Sequence, residues 1–421
     1  MFSIRHYAAE LPHHPIALVY SPLVHTIASE TKEVSAAHHF ANRTVDMFKN
    51  AFRLPVRLLG IPLYLDITFL IILPLLAWLI GSQLEEFILL TELPIAVEPL
   101  TEGSTPFLLG LWAALALFVS VVIHELGHAI TARRYDVETE RITLWLLGGM
   151  AQFREMPKQR GAEAVVAIAG PITSFALGLL CWFILQFVPT ELGGLYFVVI
   201  YTMYMNILLA VFNMIPALPL DGGRVLRSLL NLRMSRLRAT QISASVSRIL
   251  AVALGLFGLL AFNIFLILIA FFIYMAVTAE AQYALFTDSL SRYRVGDLMT
   301  HPVTSVHPEM TVDEVITKMF AEARLAYPVR STTGEYIGQV TIDTLREFLP
   351  GQSVGQVMQA PPEIISADSG ANDLFDKMIR DDQHRLLVQD NDQVIGIVTK
   401  TDLMRALQIA SGRSRYRPQK S

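Results

Sequence analysis

Long apolar runs between residues 63 and 279 constrain this chain more than any other feature of its sequence. A helix needs about 20 mostly apolar residues to cross a hydrocarbon core of roughly 30 Å, and several of these runs reach that length. We predict six membrane-spanning helices, of which the last two, with almost nothing between them, form a tight helical hairpin. The predicted spans are residues 63–81, 106–132, 162–188, 195–216, 242–260 and 262–277.

The composition is that of a chain largely buried in lipid. Hydrophobic residues make up 53% of it and charged residues only 17%, and its mean hydropathy is +0.46. Because soluble domains carry about 25% charged residues, the composition argues against a purely soluble enzyme, a coiled coil and a disordered protein. The net charge of −4 includes no basic excess, so we expect no nucleic-acid partner. Cys181 is the only cysteine, which leaves His, Asp and Glu to hold any metal ion.

Charged residues in the loops orient the predicted spans. The loop between the first two spans contains several glutamates and no Lys or Arg, whereas basic residues flank the opposite ends. By the positive-inside rule, we expect a multi-pass protein of the cell membrane with both termini in the cytoplasm. The basic residues used for this orientation are Arg53, Arg57, Arg133, Arg134, Lys158, Arg160, Arg224, Arg227, Arg233, Arg236 and Arg238.

The N-terminal segment, residues 1–46, belongs to none of these spans. It is rich in histidine and lacks the continuous apolar region of a secretory signal. We predict a poorly ordered extension or a translation start at Met47, with a metal-binding tail as the alternative. The membrane domain is predicted over residues 47–279 and is followed by a linker at 280–294, and the chain ends in a tail at 410–421.

An internal repeat follows the membrane domain. The pentapeptide VGDLM at 295–299 returns as VGQVM at 354–358, and each copy has the predicted order β-α-β-β-α. This pattern resembles a tandem pair of cystathionine-β-synthase (CBS) domains, at residues 295–349 and 350–409. The resemblance implies a cytoplasmic α+β unit that binds an adenosine nucleotide in its cleft and that can form a homodimer.

The second predicted span ends in the motif HELGH at residues 124–128. Two histidines four residues apart lie on one face of a helix, so the imidazoles of His124 and His128 can reach one metal ion. Glu125 between them can hydrogen-bond a metal-bound water and act as a general base. Ionisable side chains are costly in an apolar helix, which favours a functional site over the alternative, a cluster that extends to the membrane interface.

The fourth predicted span is followed by a candidate third ligand, Asp221. Pro216 and Pro219 end the helix, and the two glycines after the aspartate permit a sharp turn that aims its carboxylate toward His124. The predicted orientation brings both side chains to the cytoplasmic side of the membrane. The alternative is that Asp221 caps a helix predicted at 224–230.

These two motifs resemble those of the site-2 protease family of intramembrane zinc metalloproteases. That family has HExxH in one transmembrane helix and N-x-x-P-x-x-P-L-D-G in a later one, and both stand complete here, the second beginning at Asn213. The resemblance implies one zinc ion per chain, held by His124, His128 and Asp221, with Glu125 activating water. It also implies that Asn213 lies near the substrate or the oxyanion, with an ordinary interhelical hydrogen bond as the alternative.

Two shorter matches extend the resemblance. Gly148 and Gly149 follow an alternating stretch at 141–145 and look like the family's membrane-associated β-hairpin, whose edge strand pairs with an unwound substrate. The tripeptide Ala-Gly-Pro at 169–171 resembles another family motif, with close helix packing as the alternative. The implied substrate is a single-pass membrane protein already trimmed by another protease, such as an anti-sigma factor, and cut near its cytoplasmic side.

The CBS copies differ at one position that the resemblance assigns to nucleotide binding. In the second copy, Thr399 and Asp402 have the spacing with which such residues contact a nucleotide ribose. In the first copy, Thr341 and Asp343 stand one residue closer together, so that half-site departs from the pattern. The alternative to nucleotide sensing is a CBS pair that serves only for dimerisation or docking.

We therefore predict a polytopic α-helical membrane protein of about six transmembrane helices, with a small membrane-associated β-hairpin and a cytoplasmic α+β tandem CBS domain. Its predicted function is regulated intramembrane proteolysis by a zinc metalloprotease that the CBS pair controls. One rival is a transporter or channel, because CBS pairs also occur on ion carriers. The other is an inactive relative that binds membrane proteins, and the presence of Glu125 argues against it, because a binder needs no base.

Overall fold

The computed structural model describes residues 51–146, 148–154, 159–346, 348, 351–381 and 383–406. The predicted N-terminal extension, Met47 and the predicted tail at 410–421 lie outside the described residues. The chain forms two compact units, and the division between them falls between Gln282 and Tyr283.

The first unit combines long helices with one small sheet. Its strands are β1 (Phe52–Leu58), β2 (Ile61–Leu65), β3 (Thr139–Trp145) and β4 (Gly148–Phe153). Its helices are α1 (Ile67–Ser82), α2 (Leu84–Leu90), α3 (Glu98–Thr101), α4 (Thr105–Arg133), α5 (Ala162–Leu185), α6 (Gly193–Asn213), α7 (Asp221–Asn231), α8 (Arg236–Leu260) and the part of α9 (Ile264–Leu290) up to Gln282.

The membrane-spanning helices agree with the sequence prediction. Among the described residues, α4, α5, α6, α8 and α9 are long and apolar enough to cross a membrane. Helices α1 and α2 meet the same criterion together but are bent by 49° at Gln83, which gives six spans when the pair counts as one. The expected tight turn between the last two spans is present, and Gly258 of α8 lies close to Leu266 of α9. The prediction of about six spans is confirmed by length and composition.

The predicted start of the first span at residue 63 is wrong. Ile61–Leu65 is strand β2, and α1 begins only at Ile67. The boundary is set by Asp66, whose carboxylate accepts the backbone N–H of Thr68 at 2.9 Å and so caps the helix. A short apolar run does not distinguish a strand from the first turn of a buried helix, and the sequence pattern therefore merged the two.

The predicted β-hairpin is present as part of a larger sheet. Strands β3 and β4 form the hairpin, in which Trp145 lies opposite Gly148. Strand β2 adds to β3 in parallel, and β1 pairs antiparallel with β2, so that the order is β1-β2-β3-β4. The sheet packs on the second half of α4, where Ile61 and Ile142 contact Ala129. The sheet therefore covers the part of α4 that carries the HELGH motif.

Glycines let neighbouring helices approach α4 closely. A Cβ atom at Gly110 would overlap the carbonyl oxygen of Ala77 on α1, and one at Gly127 would overlap the hydroxyl of Thr173 on α5. Since small residues permit such backbone contact, α4 is held tightly between α1 and α5.

The second unit contains the two CBS copies. Its helices are α10 (Val295–Leu298), α11 (Val312–Glu322), α12 (Ile342–Arg346), α13 (Val354–Val357) and α14 (Ala371–Arg380). Its strands are β5 (Ala326–Arg330), β6 (Tyr336–Thr341), β7 (Ile364–Ser366), β8 (Arg385–Asp390) and β9 (Gln393–Thr399). Each copy has its own core, but Val295 from the start of the first copy is buried in the second core, and Val354 from the second copy is buried in the first. Each core is thus completed by the other copy.

The predicted linker at 280–294 is largely helical. Helix α9 continues beyond the predicted end of the sixth span, residue 277, as far as Leu290. Leu290 is fully buried in the second CBS core, and the ring of Phe286 lies 4.5 Å from that of Phe375 between centroids. The apolar side chains at the end of α9 therefore pack in the CBS unit, which explains why the helix does not stop where its lipid-compatible stretch ends.

Candidate metal centre

The three residues predicted to hold a metal ion lie together in the structure. His124 and His128 stand on one face of α4, and Asp221 is the first residue of α7. All three are buried, with exposed fractions of 4%, 4% and 6%. The Nε2 atoms of the two histidines are 3.2 Å apart, and each lies 3.2 Å from Oδ2 of Asp221. The ligand atoms of this metal trio (His124, His128 and Asp221) thus form a nearly equilateral triangle.

The chain reaches Asp221 through a turn that requires glycine. Gly222 and Gly223 lie against the backbone of residues 214–218, where a Cβ atom at either position would overlap main-chain atoms. The capping position before α7 belongs to Leu220, so the predicted alternative of Asp221 as the N-cap is wrong. Its carboxylate is free of that role and contacts the histidines instead.

Each imidazole of the metal trio makes a second hydrogen bond with its other nitrogen. Nδ1 of His124 lies 2.8 Å from Oγ of Ser174, and Nδ1 of His128 lies 2.8 Å from the carbonyl oxygen of Val166. A carbonyl oxygen can only accept, so Nδ1 of His128 carries a proton, and Nε2 is the nitrogen that faces the trio. Contacts of this kind fix the orientation of metal-ligating histidines.

Gly170 of α5 provides the space in which the metal trio meets. A Cβ atom at this position would lie 2.7 Å from Nε2 of His124 and would overlap Nε2 of His128. The Ala-Gly-Pro tripeptide at 169–171 therefore serves the site directly, in addition to helix packing.

The donor atoms and their spacing fit a zinc ion. Zinc binds imidazole nitrogen and carboxylate oxygen tetrahedrally at about 2.0–2.1 Å, which separates neighbouring ligand atoms by about 3.3 Å. Burial alone raises the pKa of Asp221, but hydrogen bonds from His124 and His128 and the charge of Arg224 hold that pKa well below its ordinary range. The carboxylate is therefore anionic at neutral pH. Three protein ligands leave one position open, as in catalytic rather than structural zinc sites.

Glu125 lies against the edge strand of the sheet. Its Oε2 accepts the backbone N–H of Ala151 in β4 at 2.9 Å. A Cβ atom at Gly149 would lie 2.7 Å from Cγ1 of Val121 and 3.0 Å from Cγ of Glu125, so only glycine lets the strand come this close to α4. Gly148 has a φ of 127°, a backbone conformation that favours glycine, and begins β4 in open space.

Asn213 is the remaining residue of the predicted membrane site. It is the last residue of α6 and is half-buried, and none of the described hydrogen bonds joins its side chain to the metal trio. The sequence reasoning missed Ser174 and Val166. Ser174 left a signal, as a fully buried hydroxyl in an apolar span, whereas a backbone carbonyl such as that of Val166 leaves none.

The predicted nucleotide residues of the second CBS copy are also together. Oδ2 of Asp402 accepts the N–H of Thr399 at 3.0 Å and its hydroxyl at 2.7 Å. The N–H of Asp402 in turn donates to the Thr399 hydroxyl at 3.2 Å. In the first copy the matching bond runs from the N–H of Thr344 to the hydroxyl of Thr341 at 3.1 Å. Thr344, not Asp343, therefore occupies the position of Asp402, and the first copy has a hydroxyl where the second has a carboxylate.

Comparison with known proteins identifies a metalloprotease domain followed by two CBS domains. The model of peptidase family M50 matches residues 112–256, and the CBS domain model matches residues 295–351 and 354–409. A zinc metalloprotease from Methanocaldococcus jannaschii is 35% identical over 301 residues, which cover 71% of this chain and 86% of the relative. Stage IV sporulation protein FB from Bacillus subtilis is 27% identical over 172 residues, which cover 41% of this chain and 58% of that relative.

A solved structure is also similar. The site-2 protease from Methanocaldococcus jannaschii shares 33% sequence identity, and the match covers 55% of this chain and 95% of that chain with a TM-score of 0.39. The similarity to the archaeal zinc metalloprotease extends over most of that relative, and the M50 match contains the HELGH motif. The chain therefore belongs to peptidase family M50 and is a zinc metalloprotease with two C-terminal CBS domains.

Proposed function

We propose that this protease cuts a single-pass membrane protein in or near its transmembrane segment, in a process of regulated intramembrane proteolysis. In this proposal the metal trio holds one zinc ion, and Glu125 is the catalytic base. The observation that carries it is the buried 3.2 Å triangle of ligand atoms beside Glu125 on the membrane-spanning helix α4. An anti-sigma factor is one substrate of this kind.

The depth of the site suits a peptide bond near the membrane surface. His124 lies nine residues before the end of α4 at Arg133, a distance of about 14 Å along the helix. We place that end, and both chain termini, on the cytoplasmic side, because Arg133 and the other loop arginines favour it. Water then enters from the cytoplasm over a short path.

The residues of the site have distinct parts in peptide hydrolysis. Zinc supplies Lewis acidity and lowers the pKa of water to about 7 when it is bound in such a site. The Glu125 carboxylate takes a proton from the attacking water and passes it to the nitrogen of the leaving amine as the C–N bond breaks. Ser174 and the carbonyl of Val166 keep the two imidazoles in place throughout.

The outer edge of β4 is suited to hold an unwound substrate. The N–H of Ala151 is donated to Glu125 and that of Arg154 to the carbonyl of Glu138 across the hairpin, so alternate N–H groups of β4 point away from β3. The opposite edge of the sheet, β1, contains Pro55 and an irregular register between Arg53 and Arg57, features that block strand addition. A substrate strand paired with β4 would lie beside Glu125.

The CBS pair is proposed to regulate cleavage through an adenosine nucleotide. Thr399 and Asp402 form the half-site that matches a ribose-binding pattern. Because Thr344 replaces the carboxylate in the first copy, we expect one nucleotide per chain rather than two.

The first prediction concerns zinc content. We expect one zinc ion per detergent-purified wild-type chain, and His124→Ala and Asp221→Ala to lose most of it because each removes one of three ligands. Glu125→Gln should keep the zinc and lose cleavage. Elemental analysis by mass spectrometry gives the zinc per chain, and His301→Ala in the CBS unit is the matched control. Folded wild-type protein without zinc would contradict the proposed function.

The second prediction concerns Gly170. The Gly170→Val variant should bind zinc at least tenfold more weakly, because the added side chain overlaps the metal-facing nitrogens of both histidines. Chelator competition measures this affinity. Ala176→Val adds comparable bulk on an exposed part of the same helix and should leave zinc binding unchanged. Wild-type zinc affinity in Gly170→Val would show that the site adopts another geometry.

The third prediction concerns pairing with β4. Replacing the N–H of Phe153 with an ester oxygen, by incorporating phenyllactic acid, removes one outward donor and leaves the Glu125 contact intact. We expect kcat/KM on a cleaved single-pass substrate to fall about two- to tenfold, the value of one net hydrogen bond, with zinc content and thermal stability unchanged. The same ester at Gln152, whose N–H faces β3, should instead lower thermal stability. An unchanged kcat/KM for the Phe153 ester would refute pairing at this edge.

The fourth prediction concerns the nucleotide. Calorimetric titration of the full chain with AMP and with ATP should give one site, and Asp402→Asn should weaken binding at least tenfold through loss of the ribose acceptor. Asp343→Asn removes an exposed carboxylate of the first copy and is the control that should not change binding. Two sites per chain, or equal binding by Asp402→Asn, would contradict this assignment.

A further inference from the structure

A second charged cluster, partly buried, involves α7, the helix that begins with Asp221. Arg227, in α7, is only 4% exposed, and its guanidinium contacts two carboxylates. Its Nε donates to Oε1 of Glu163 at 3.0 Å, and a terminal nitrogen donates to the same oxygen. The other terminal nitrogen donates to Oε1 of Glu280. We call Arg227, Glu163 and Glu280 the ion triad; it joins α7 to α5 and to α9.

The ion triad holds the helix that begins with Asp221. Helix α7 is short, and Arg227 lies six residues after Asp221, about 9 Å along the axis. A buried guanidinium must keep its carboxylate partners, because removing one partner of a buried pair leaves an uncompensated charge. Arg227 therefore fixes both the rotation of α7 and its position along its axis. One further contact, from the N–H of Ala164 to the hydroxyl of Ser228 at 3.1 Å, joins α7 to α5.

The same turn of α5 supports a second member of the metal trio. Glu163 contacts Arg227, and three residues later the carbonyl of Val166 accepts Nδ1 of His128. The start of α5 is thus the common support for Asp221, through α7, and for His128. A shift of α7 relative to α5 would change the distance between the Asp221 carboxylate and the imidazole of His128.

We propose that Arg227 is a positioning residue for the metal site, which sets the Asp221 carboxylate against both histidines through the rigid helix α7. This inference rests on the proposed zinc site. Glu280 extends the support to α9. The ion triad therefore joins α9 to the helix that begins with Asp221.

The test measures zinc affinity in the full chain rather than activity. Arg227→Met keeps the length of the side chain and removes its charge, and we expect zinc to bind at least tenfold more weakly in chelator competition. Glu280→Gln should show a smaller loss in the same direction, and Arg227→Lys should restore part of the affinity. Arg233→Met removes an exposed charge just after α7 and is the matched control, which should bind as the wild type does.

A double-mutant cycle separates positioning from a general structural effect. If Arg227 acts through Asp221, Arg227→Met should weaken zinc binding in the wild-type background and leave unchanged the weaker residual affinity of the Asp221→Ala background, measured at zinc concentrations high enough to saturate the two remaining histidines. The absorption spectrum of bound Co²⁺ at saturation should also change in Arg227→Met, because the carboxylate no longer meets the metal in the same geometry. Equal losses in both backgrounds would overturn the proposal.

Two further outcomes distinguish this inference from the function on which it rests. Wild-type zinc affinity in folded Arg227→Met would overturn the positioning role while leaving the zinc site in place. Absence of zinc from the wild type would overturn the proposed function itself. If Arg227→Met does not fold, Glu280→Gln, which keeps the shape of the side chain and the Arg227–Glu163 contact, carries the same test.

Discussion

The burial of a carboxylate with two imidazoles among apolar helices is the constraint on which the membrane unit depends. Ionisable side chains are costly in a membrane-spanning segment unless they are paired or bind an ion. Here Asp221 is anionic, and both rings turn the same nitrogen toward it at 3.2 Å. A divalent cation bound between them would satisfy all three groups at once. The surrounding helices must therefore hold the three ligand atoms close together.

Helix α5 meets most of that requirement. Val166, Gly170 and Ser174 are spaced by four residues and therefore lie along one face of the helix, which is directed at the metal trio. Val166 contributes a carbonyl acceptor and Ser174 a hydroxyl. Gly170 between them contributes space for the imidazoles, which a Cβ atom at that position would fill. The ionic contact of Glu163 adds α7 to the same face. The geometry of the site is thus set by a helix that supplies no metal ligand.

The sequence predicted the parts of the structure that depend on local pattern. Motif spacing identified the metal trio, because an i, i+4 histidine pair and a glycine turn after Asp221 act locally. The sequence-based prediction failed where long-range contacts determine the bounds of an element. Residues 63–65 are apolar enough for a helix but pair with β3, and α9 continues to Leu290 because the CBS core accepts its end. From the sequence, Arg227 served only as one of the loop charges that orient the predicted spans. A sequence does not reveal which carboxylates a buried arginine contacts, so the ion triad was not predicted.

Glu125 links the strand edge to the chemistry. In the free protein its carboxylate already has a partner, the N–H of Ala151 on the outward edge of β4. A substrate strand that pairs with this edge needs the same N–H, so it competes with Glu125 for the bond. In the proposed function, arrival of an unwound segment would therefore both supply the peptide bond and release Glu125 from Ala151, whereas an intact helix, whose backbone groups are already paired, would do neither.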